Sequence, residues 1–259
     1  MSRKELLIVI PACNEEDNIT KVLDQLESAR IGELGDILII NDASSDATAK
    51  IVRSRGLELI TNIFRLGYGG AVQVGYKYAV RTGYQYVIQL DGDGQHDVCN
   101  IPALYRRLLL PDENGNPPDI VLGSRFLDGS RSFPISRAKK MAFPLFRQMI
   151  FLLTGKAVAD PTTGLQGLNR NAFAHYAQYT NFDDKYPDAN MLIQMLLLGF
   201  RVVEIPAIMH PRTAGKSIHS GWKPLWYMFR MLFSIAAIVF RIRVLKIEKG
   251  AHESHARGL

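Results

Sequence analysis

The sequence predicts an α/β fold in which helices cover both faces of a mostly parallel sheet. Two observations support this prediction: short apolar runs alternate with helical patterns over the first hundred residues, and these runs are almost continuously apolar. Apolar strands without alternation are typical of parallel sheets that are buried on both faces. The chain has 259 residues, of which 47% are hydrophobic and 22% charged, as expected of a folded globular protein with a substantial core.

Four strands are predicted in the first hundred residues. They are LLIVIPA (6–12), DILIIND (36–42), LELIT (57–61) and YVIQLDGD (86–93). Between them, apolar residues at spacings of three and four predict helices at 18–30, 45–56 and 69–83. Asn18 and Ser45 are expected to cap two of these helices at the N-terminus, and Gly56 and Gly83 are expected to end two of them.

The remainder of the chain continues this alternation. Helices are predicted at 100–110, 136–155 and 189–200, the last ended by Gly199, and strands at 119–126 and 201–209. The segment DPTTGLQGLNR (160–170) is expected to be partly extended, and HPRTAGKSIHSG (210–221) to be a flexible basic loop. We therefore assign residues 1–221 to one α/β domain and residues 222–259 to a basic amphipathic C-terminal helix and tail.

The C-terminal segment combines basic and apolar residues. The whole chain has a net charge of +6, and from Trp222 onward seven basic residues face two acidic ones. The apolar stretch 225–240 is shorter than the roughly 20 residues that a membrane-spanning helix needs. It predicts an interfacial helix on an anionic membrane, with Trp222, Trp226, Tyr227 and Phe229 at headgroup depth. Packing on the domain or on a partner subunit is the alternative, and a nucleic-acid partner is not expected.

The cysteines and the N-terminus favour a cytoplasmic protein. Cys13 and Cys99 are far apart and have no CxxC spacing, so neither a zinc site nor a disulfide framework is predicted. The N-terminal apolar run LLIVI is too short for a signal peptide and is followed by acidic residues. We therefore expect the fold to begin at the start of the chain and to operate in the cytoplasm, peripherally on the inner face of the membrane.

The densest polar motif is IQLDGDGQHD (88–97), in which Asp91 and Asp93 follow an apolar run. Like Asp42 after the second strand, they are expected at the carboxyl ends of parallel strands, where doubly wound sheets bind their ligands. An EF-hand calcium loop is excluded, because its sixth position requires glycine and is occupied by His96. A solvated turn is one alternative. The other is a magnesium or manganese ion that bridges the carboxylates to a diphosphate and relieves their mutual repulsion.

Two glycine-containing motifs fail the nucleotide-binding patterns that they resemble. AGKS (214–217) would need glycine at residue 210 to complete a P-loop, and that residue is His210. RLGYGGAVQVG has Val72 where a dinucleotide-binding motif needs its last glycine. Its glycines still allow the start of a helix to approach a ligand closely.

Seven motifs occur in the order that is typical of family 2 glycosyltransferases of the GT-A fold, and the sequence resembles this family over residues 5–230. They are IPACNEEDNI, LIINDASSDAT, RLGYGGA, QLDGDGQHD, VLGSRF, DPTTGLQG and HPRTAGKSIHSGWK. The branch it resembles includes dolichyl-phosphate mannose synthase and bacterial polyprenyl-phosphate glycosyltransferases. The resemblance implies an inverting, metal-dependent transfer of a sugar from a UDP- or GDP-sugar to a polyprenyl- or dolichyl-type lipid phosphate at the cytoplasmic membrane face.

The resemblance also implies residues that bind the donor. Asp91, Asp93 and Gln95 would bind Mg²⁺ or Mn²⁺, with Asp93 among the catalytic residues, because a nucleoside diphosphate departs readily only when its growing charge is neutralised. The residues implied for nucleotide-sugar binding are Pro11, Asn14, Glu15, Asp42, Arg65, Asp91, Arg212 and Lys216. Of these, Arg212 and Lys216 would close over the phosphates.

On the acceptor side, Arg125 and Arg137 match positions that resemble ligands of a lipid phosphate, and Arg125 also counts among the catalytic residues. Asp160 would lie beneath the acceptor. Met141 departs from the family pattern, in which a serine is expected. A lipid phosphate needs no catalytic base, since its second pKa lies near ~6 by analogy with phosphorylated side chains.

Two other functions stay open. If the acceptor is a sugar hydroxyl in polysaccharide assembly, a carboxylate must remove its proton, and Asp188 is the candidate unless it caps a helix. Alternatively, the chain is a catalytically silent nucleotide-binding membrane subunit. Nucleotidylyl transfer is disfavoured, because IPACNEE offers no Gly-rich, Arg-bearing loop after the first strand. The added transmembrane anchors of some relatives have no counterpart in this sequence, so the resemblance further implies either a small integral membrane protein as a partner or a peripheral mode of membrane binding.

Overall fold

The computed structural model describes residues 4–131, 137–211 and 223–246, with the backbone alone for residues 137–142 and 223–226. Its strands are β1 (Leu6–Ala12), β2 (Asp36–Asn41), β3 (Glu58–Thr61), β4 (Tyr86–Gln89), β5 (Ile120–Ser124), β6 (Gln166–Asn169) and β7 (Val202–Pro206). Its helices are α1 (Glu16–Ser28), α2 (Ile31–Leu34), α3 (Thr48–Ser54), α4 (Tyr68–Thr82), α5 (Asn100–Leu109), α6 (Arg137–Thr154), α7 (Arg170–Ala177), α8 (Ala189–Leu197) and α9 (Lys223–Val239). A 3₁₀ turn at Tyr179–Asn181 precedes α8, and a π-helical turn at Phe240–Val244 extends α9.

The seven strands form one sheet in the order β3-β2-β1-β4-β6-β5-β7. β1 pairs in parallel with β2 and β4, so that Val9 lies opposite Leu38 on one side and Gln89 on the other. Among the described strands, only β6 runs antiparallel to its neighbours, which are β4 and β5. The prediction of a mostly parallel sheet is confirmed.

Both faces of the sheet are buried, as the apolar strands predict. Successive side chains of a strand point to opposite faces. Leu7 and Val9 therefore pack with α4, α6, α7, α8 and α9, whereas Leu6 and Ile8 pack with α1, α2, α3 and α5. Full burial of a Leu or Ile side chain contributes roughly 1.5–3 kcal/mol, so these two layers hold the edges of the sheet in fixed positions.

The predicted helices are present, but two of them begin at other residues than expected. α1 begins at Glu16 and α3 at Thr48, so the predictions that Asn18 and Ser45 are N-caps are wrong. Near the start of α3, Asp46 Oδ1 accepts a hydrogen bond from the Thr48 amide at 3.0 Å. Asn18 is instead buried inside the first turn of α1. Positive φ angles mark the predicted C-terminal glycines, which are Gly56, Gly83 and Gly199.

The C-terminal helix α9 is apolar on two sides. Its inner side, with Met231 and Ile235, is buried in the same core layer as α8. Its outer side carries Phe229, Phe233 and Phe240, which are 63%, 72% and 54% exposed. The predicted boundary between residues 221 and 222 lies outside the described residues.

Helix α6 lies beside α9 and adds to the apolar surface. Both helices pack on α8, and the ring of Phe146 on α6 meets the ring of Tyr227 on α9 edge-on. Phe151 and Leu152 on α6 are exposed as well. Within the described ranges, none of the helices combines the length and the hydropathy that crossing a bilayer requires.

Candidate active site

The carboxyl ends of β1, β2 and β4 meet at one edge of the sheet, because these strands are parallel and adjacent. Asp42 is the first residue after β2, and Asp91 is the second after β4. The loop after β4, residues 90–97, is called the acid loop; it packs against the end of β1, since a Cβ on Gly92 would lie 2.9 Å from the carbonyl oxygen of Pro11. The structure therefore places Asp42, Asp91 and the loop after β1 at the same edge.

Asp42 is buried and uses both carboxylate oxygens to hold the segment between β3 and α4. Its Oδ1 accepts hydrogen bonds from Asn62 Nδ2 at 2.9 Å and from the Leu66 amide at 2.8 Å. Its Oδ2 accepts one from the Gly67 amide at 2.9 Å. These bonds fix the segment that carries the exposed Arg65. Asp42 thus fixes the position of this segment, and its contact with a nucleotide sugar stays a prediction.

The loop after β1 is bonded to the loop after β2. The Asn14 amide donates to Ser44 Oγ at 3.0 Å, and Asn14 Oδ1 accepts from the Ser45 amide at 2.8 Å. The Glu15 amide donates to Thr48 Oγ1 at 2.9 Å. The two predicted donor-binding residues Asn14 and Glu15 are therefore held in place beside Asp42, with Asn14 exposed and Glu15 half-buried.

Cys13 connects this loop to Arg65. Its Sγ donates to the carbonyl oxygen of Asp42 at 3.3 Å. Burial raises the pKa of the Cys13 thiol, and the positive charge of Arg65 opposes this rise. Arg65 is therefore close enough to Cys13 to interact with it electrostatically, and burial disfavours the nucleophilic thiolate form of Cys13. Pro11 is buried within β1.

Asp91 is held by a chain of hydrogen bonds. Its Oδ1 accepts from the Tyr68 hydroxyl at 2.7 Å, and this hydroxyl accepts from Gln89 Nε2 at 2.7 Å. Burial raises the pKa of Tyr68 well above its ordinary value, and the charge of Asp91 raises it further. Tyr68 is therefore a permanent donor that fixes the orientation of the Asp91 carboxylate.

His96 supports the acid loop through its imidazole ring. It is buried, and its Nδ1 accepts a hydrogen bond from the Asp91 amide at 3.1 Å. Since Nδ1 is an acceptor, the proton of the neutral ring is on Nε2, which lies 3.8 Å from Asp91 Oδ2. His96 thus holds the backbone of Asp91 and turns a partial positive charge toward its carboxylate.

Asp93 and Gln95 join the acid loop to the chain after β7. Asp93 Oδ1 accepts from the Gln95 amide at 3.0 Å, and the Gln95 carbonyl accepts from the His210 amide at 2.7 Å. His210 Nε2 also lies 2.8 Å from Asp97 Oδ2. The acid loop is therefore fixed to the point from which the predicted phosphate-binding loop departs.

Asp91 and Asp93 could hold a divalent cation together with ligands from outside the protein. Within residues 4–131, 137–211 and 223–246, His, Cys, Asp and Glu side chains form no group of three or more that would hold a metal without help. Mg²⁺ is commonly held by one or two carboxylates together with nucleotide phosphates. Gly164 keeps one side of Asp91 open, because a Cβ there would lie 3.0 and 3.2 Å from the two carboxylate oxygens.

Arg125 and Asp160 form a buried ion pair. Arg125 Nε and Nη2 donate to the two oxygens of Asp160 at 2.7 and 2.6 Å, and the Arg125 amide adds a bond of 2.9 Å. The Asp160 side chain is fully buried and that of Arg125 is 10% exposed. Arg125 Nη2 also donates to Thr162 Oγ1 at 3.0 Å. Asp160 thus orients Arg125, whose contact with an acceptor phosphate stays a prediction.

Glu204 on β7 holds the loop that carries Asp160. Its carboxylate accepts from the amides of Ala159 and Asp160 at 2.6 and 2.8 Å. Thr163, farther along the same loop, donates from Oγ1 to the carbonyl oxygen of Gly123 at 2.7 Å. The DPTTG segment is therefore tied to β5 and β7, and its Gly164 lies against Asp91 as described above.

Asp188 immediately precedes α8, but its side chain makes no capping hydrogen bond. Its Oδ2 instead accepts from the Tyr227 hydroxyl on α9 at 2.7 Å. The segment that leads to Asp188 packs against α4, since the Gly70 amide donates to the carbonyl oxygen of Asp184 at 2.9 Å, and the charge of Asp188 adds to the raised pKa of Tyr68 after burial, Asp91 and Tyr76. The side chain therefore does not serve as a helix cap, and its role as a base stays a prediction.

Some predicted site residues lie outside the part of the chain whose side chains are described. They are Arg137, Met141, Arg212 and Lys216, and Trp222 and Trp226 of the tail. The structure adds four residues that the sequence patterns did not identify as part of the site: Tyr68, Gln89, Gly164 and Glu204. Gln89 could have been recognised as a single polar residue within an apolar strand.

Comparisons with known proteins are consistent with this site. A family model described as Glycosyl transferase family 2 matches residues 7–177. Undecaprenyl-phosphate mannosyltransferase of Micrococcus luteus is 25% identical over 222 residues, which cover 83% of this chain and 88% of that protein. Polyprenol monophosphomannose synthase of Mycolicibacterium smegmatis is 27% identical over 236 residues, covering 87% and 84%.

A solved structure with the same fold is glucosyl-3-phosphoglycerate synthase from Mycobacterium tuberculosis, in complex with Mn²⁺ and UDP-glucose. It matches with a TM-score of 0.62 at 19% sequence identity, covering 91% of this chain and 78% of that chain. At this identity the similarity concerns the fold.

Proposed function

Because the chain belongs to glycosyl transferase family 2, we propose that it transfers a sugar from a nucleotide sugar to a polyprenyl-type lipid phosphate at the cytoplasmic face of a membrane. The chain is a glycosyltransferase with the GT-A fold. The observation that carries the proposal is the presence of two half-buried carboxylates, Asp91 and Asp93, each held by a hydrogen bond where the parallel strands end. This arrangement suits a charged diphosphate better than it suits a plain solvated turn.

The donor half of the reaction follows from the fixed positions of these carboxylates. Mg²⁺ or Mn²⁺ would be held by Asp91, Asp93 and Gln95, and when bound it supplies Lewis-acid neutralisation of the leaving diphosphate. Tyr68 and His96 hold Asp91 from two sides. We therefore expect the site to bind the donor with little rearrangement. A preorganised site of this kind strongly stabilises the charge that develops in the transition state.

The acceptor half is proposed from the relatives and from phosphate chemistry. The two relatives above are named for the mannosylation of polyprenyl phosphates. A phosphate with a second pKa near ~6 is largely ionised at neutral pH, so its oxygen attacks the sugar without a base. One displacement, opposite the departing diphosphate, inverts the anomeric carbon.

A sugar hydroxyl is the second candidate acceptor, and the surroundings of Asp188 favour it. This carboxylate makes no capping bond to α8 and faces the interior between α8 and α9. A hydroxyl acceptor would need such a group as its base. The first candidate predicts turnover that requires a lipid phosphate, and the second predicts turnover that requires a glycan.

Release of the nucleoside diphosphate tests the proposal. We expect release from a UDP- or GDP-sugar in the presence of Mn²⁺ to require a short-chain polyprenyl phosphate, because the lipid phosphate is the nucleophile. Release that occurs only with a glycan acceptor would indicate that a sugar hydroxyl is the nucleophile and that Asp188 is the candidate base. Absence of release with every donor and acceptor pair would indicate a silent nucleotide-binding subunit.

The outer face of α9 supports a position on the membrane. Phe229, Phe233 and Phe240 form one exposed apolar stripe, and the exposed Arg243 and Lys246 follow it. An apolar stripe next to basic residues matches the interface of an anionic bilayer, in which rings enter the acyl region and cations meet the headgroups. We therefore propose that the stripe binds anionic lipid.

Removal of two rings from the stripe is expected to weaken this binding. The Phe229→Ser/Phe233→Ser variant should bind vesicles that contain an anionic lipid at least about tenfold more weakly, because each ring contributes roughly 1.5–3 kcal/mol when buried. Co-sedimentation measures the effect. Tyr179→Ser is the matched control, since Tyr179 is 85% exposed on a different element. Equal binding of the double variant and the wild type would contradict the proposal.

A further inference from the structure

The inner face of α9 is bonded to the segment 183–190, which leads into α8. The Tyr227 hydroxyl donates to Asp188 Oδ2 at 2.7 Å. The Tyr227 ring meets the rings of Tyr186 and Phe146 edge-on, with centroids 5.2 and 6.4 Å away. Burial raises the pKa of Tyr227 far above its ordinary value, so the hydroxyl remains a donor. Tyr227 of α9 thus contacts the ring of Tyr186 and binds the carboxylate of Asp188.

Two further turns of α9 hold the same segment. Arg230 Nη2 lies 3.4 Å from Asp183 Oδ1 and 3.6 Å from Asp184 Oδ1. Ser234 Oγ accepts a hydrogen bond of 2.9 Å from Nδ2 of the fully buried Asn190. Tyr227, Arg230 and Ser234 are separated by three and four residues, so they lie on one side of the helix. That side adjoins the buried side with Met231 and Ile235 and lies about a third of a turn from the apolar stripe.

The other side of the segment 183–190 touches the donor site. The Gly70 amide donates to the carbonyl oxygen of Asp184 at 2.9 Å. A Cβ on Gly69 would lie 2.1 Å from the carbonyl oxygen of Asp183, so the backbones of α4 and the segment are in direct contact. The first residue of α4 is Tyr68, which orients Asp91. Contacts therefore run without interruption from α9 to the acid loop.

We propose that Tyr227 is a positioning residue through which α9 couples membrane binding to sugar transfer. The inner side of α9 holds Asp188 and the segment 183–190 against the donor site, while its outer side rests on lipid. Binding to the bilayer restrains α9, and the restrained helix keeps Asp188 and the segment 183–190 in their productive arrangement beside the donor site. This inference rests on the proposed function and adds a lipid surface as an activator of the same site.

Tyr227→Phe tests the positioning role without removing the ring. We expect kcat/KM for the lipid phosphate to fall about tenfold or more, because a hydrogen bond to a charged group is lost. The Kd for the nucleotide sugar and the binding to anionic vesicles should stay unchanged, since neither involves the Tyr227 hydroxyl. Tyr179→Phe, which removes an exposed hydroxyl, is the matched control. A Tyr227→Phe variant with wild-type kcat/KM would overturn the proposal.

A double-mutant cycle shows whether Tyr227 acts through Asp188. Asp188→Asn should lower kcat/KM, and adding Tyr227→Phe should lower it no further, because interacting residues are not additive. If the two substitutions lower kcat/KM independently, so that their effects multiply, Tyr227 does not act through Asp188. The cycle is measured with whichever acceptor the wild type uses. Failure of the proposed function is distinguishable, because the wild type itself would then show no release that depends on lipid phosphate.

Empty vesicles test the coupling itself. With a short-chain polyprenyl phosphate that stays in solution, anionic vesicles that lack acceptor should raise the turnover of the wild type at least threefold. The same vesicles should leave Tyr227→Phe at its lower rate, since the restraint on α9 no longer reaches Asp188. A wild type that the vesicles do not stimulate would overturn the coupling.

Discussion

Asp91→Asn is expected to lower kcat/KM for sugar transfer by about 10²- to 10³-fold, the usual effect of removing one electrostatic contact to the transition state. Asparagine has the shape of aspartate, and its Oδ1 still accepts from the Tyr68 hydroxyl. The substitution therefore removes the negative charge and leaves the loop in place. Nucleoside diphosphate release measures the loss. The Kd of Mn²⁺ in the presence of the nucleoside diphosphate should rise in parallel.

Asp112→Asn is a suitable control for this substitution. Asp112 lies in the exposed turn after α5, where its carboxylate bonds to the amides of Asn114 and Asn116. It is distant from the acid loop in the fold, so its neutralisation should leave kcat/KM unchanged. If Asp91→Asn retained more than a third of the wild-type kcat/KM, the carboxylate would not be a donor-site ligand.

Asp160→Ala is expected to lower the free energy of unfolding by about 3–5 kcal/mol, the cost of breaking a buried ion pair on one side. The Asp160 side chain is fully buried, and three donors of Arg125 point at its two oxygens. Its removal leaves the Arg125 guanidinium largely buried without its counter-charge. Denaturation by urea, followed by the fluorescence of the tryptophans and by circular dichroism, measures the loss.

Two variants show whether burial is the cause. Arg55→Ala removes exposed pairs with Asp24 and Glu27, which are worth about 0–1 kcal/mol, and it should leave stability nearly unchanged. Arg125→Met/Asp160→Leu replaces the whole pair with apolar side chains and should recover at least half of the loss, because no unpaired charge remains. A cost below about 1.5 kcal/mol for Asp160→Ala would contradict the buried-pair account.

The strands and helices that the sequence predicts are those with a strong local pattern. β6 has no such pattern, since QGLN contains one large apolar residue, and its antiparallel direction is set by pairing with β4 and β5. α7 follows β6 directly and was not predicted. Asn169 caps it by accepting from the Ala172 amide at 3.0 Å, so a signal for its start was present in the sequence.

The same distinction holds for the site. Asp91 and Asp93 were recognisable because they follow an apolar strand in a short motif. Tyr68 bonds to Asp91 from 23 residues away, and Tyr227 bonds to Asp188 from 39 residues away. Such partners are brought together by the packing of α4 and α9, and no local spacing reveals them. The position of these carboxylates at the end of a strand was thus predictable, whereas the contacts that support them were not.

The antiparallel strand β6 also determines the order in which the sheet is assembled. β1 to β4 pair with one another, so this half of the sheet has its neighbours as soon as β4 has been synthesised. β5 pairs with β6 and β7, both of which follow it in the chain. β5 can therefore pair only after β6 has been synthesised. β6 then pairs with both β4 and β5 and so connects the two halves of the sheet. Because non-local pairing is slow, we expect the half that carries Arg125 and Asp160 to be the last to form during synthesis.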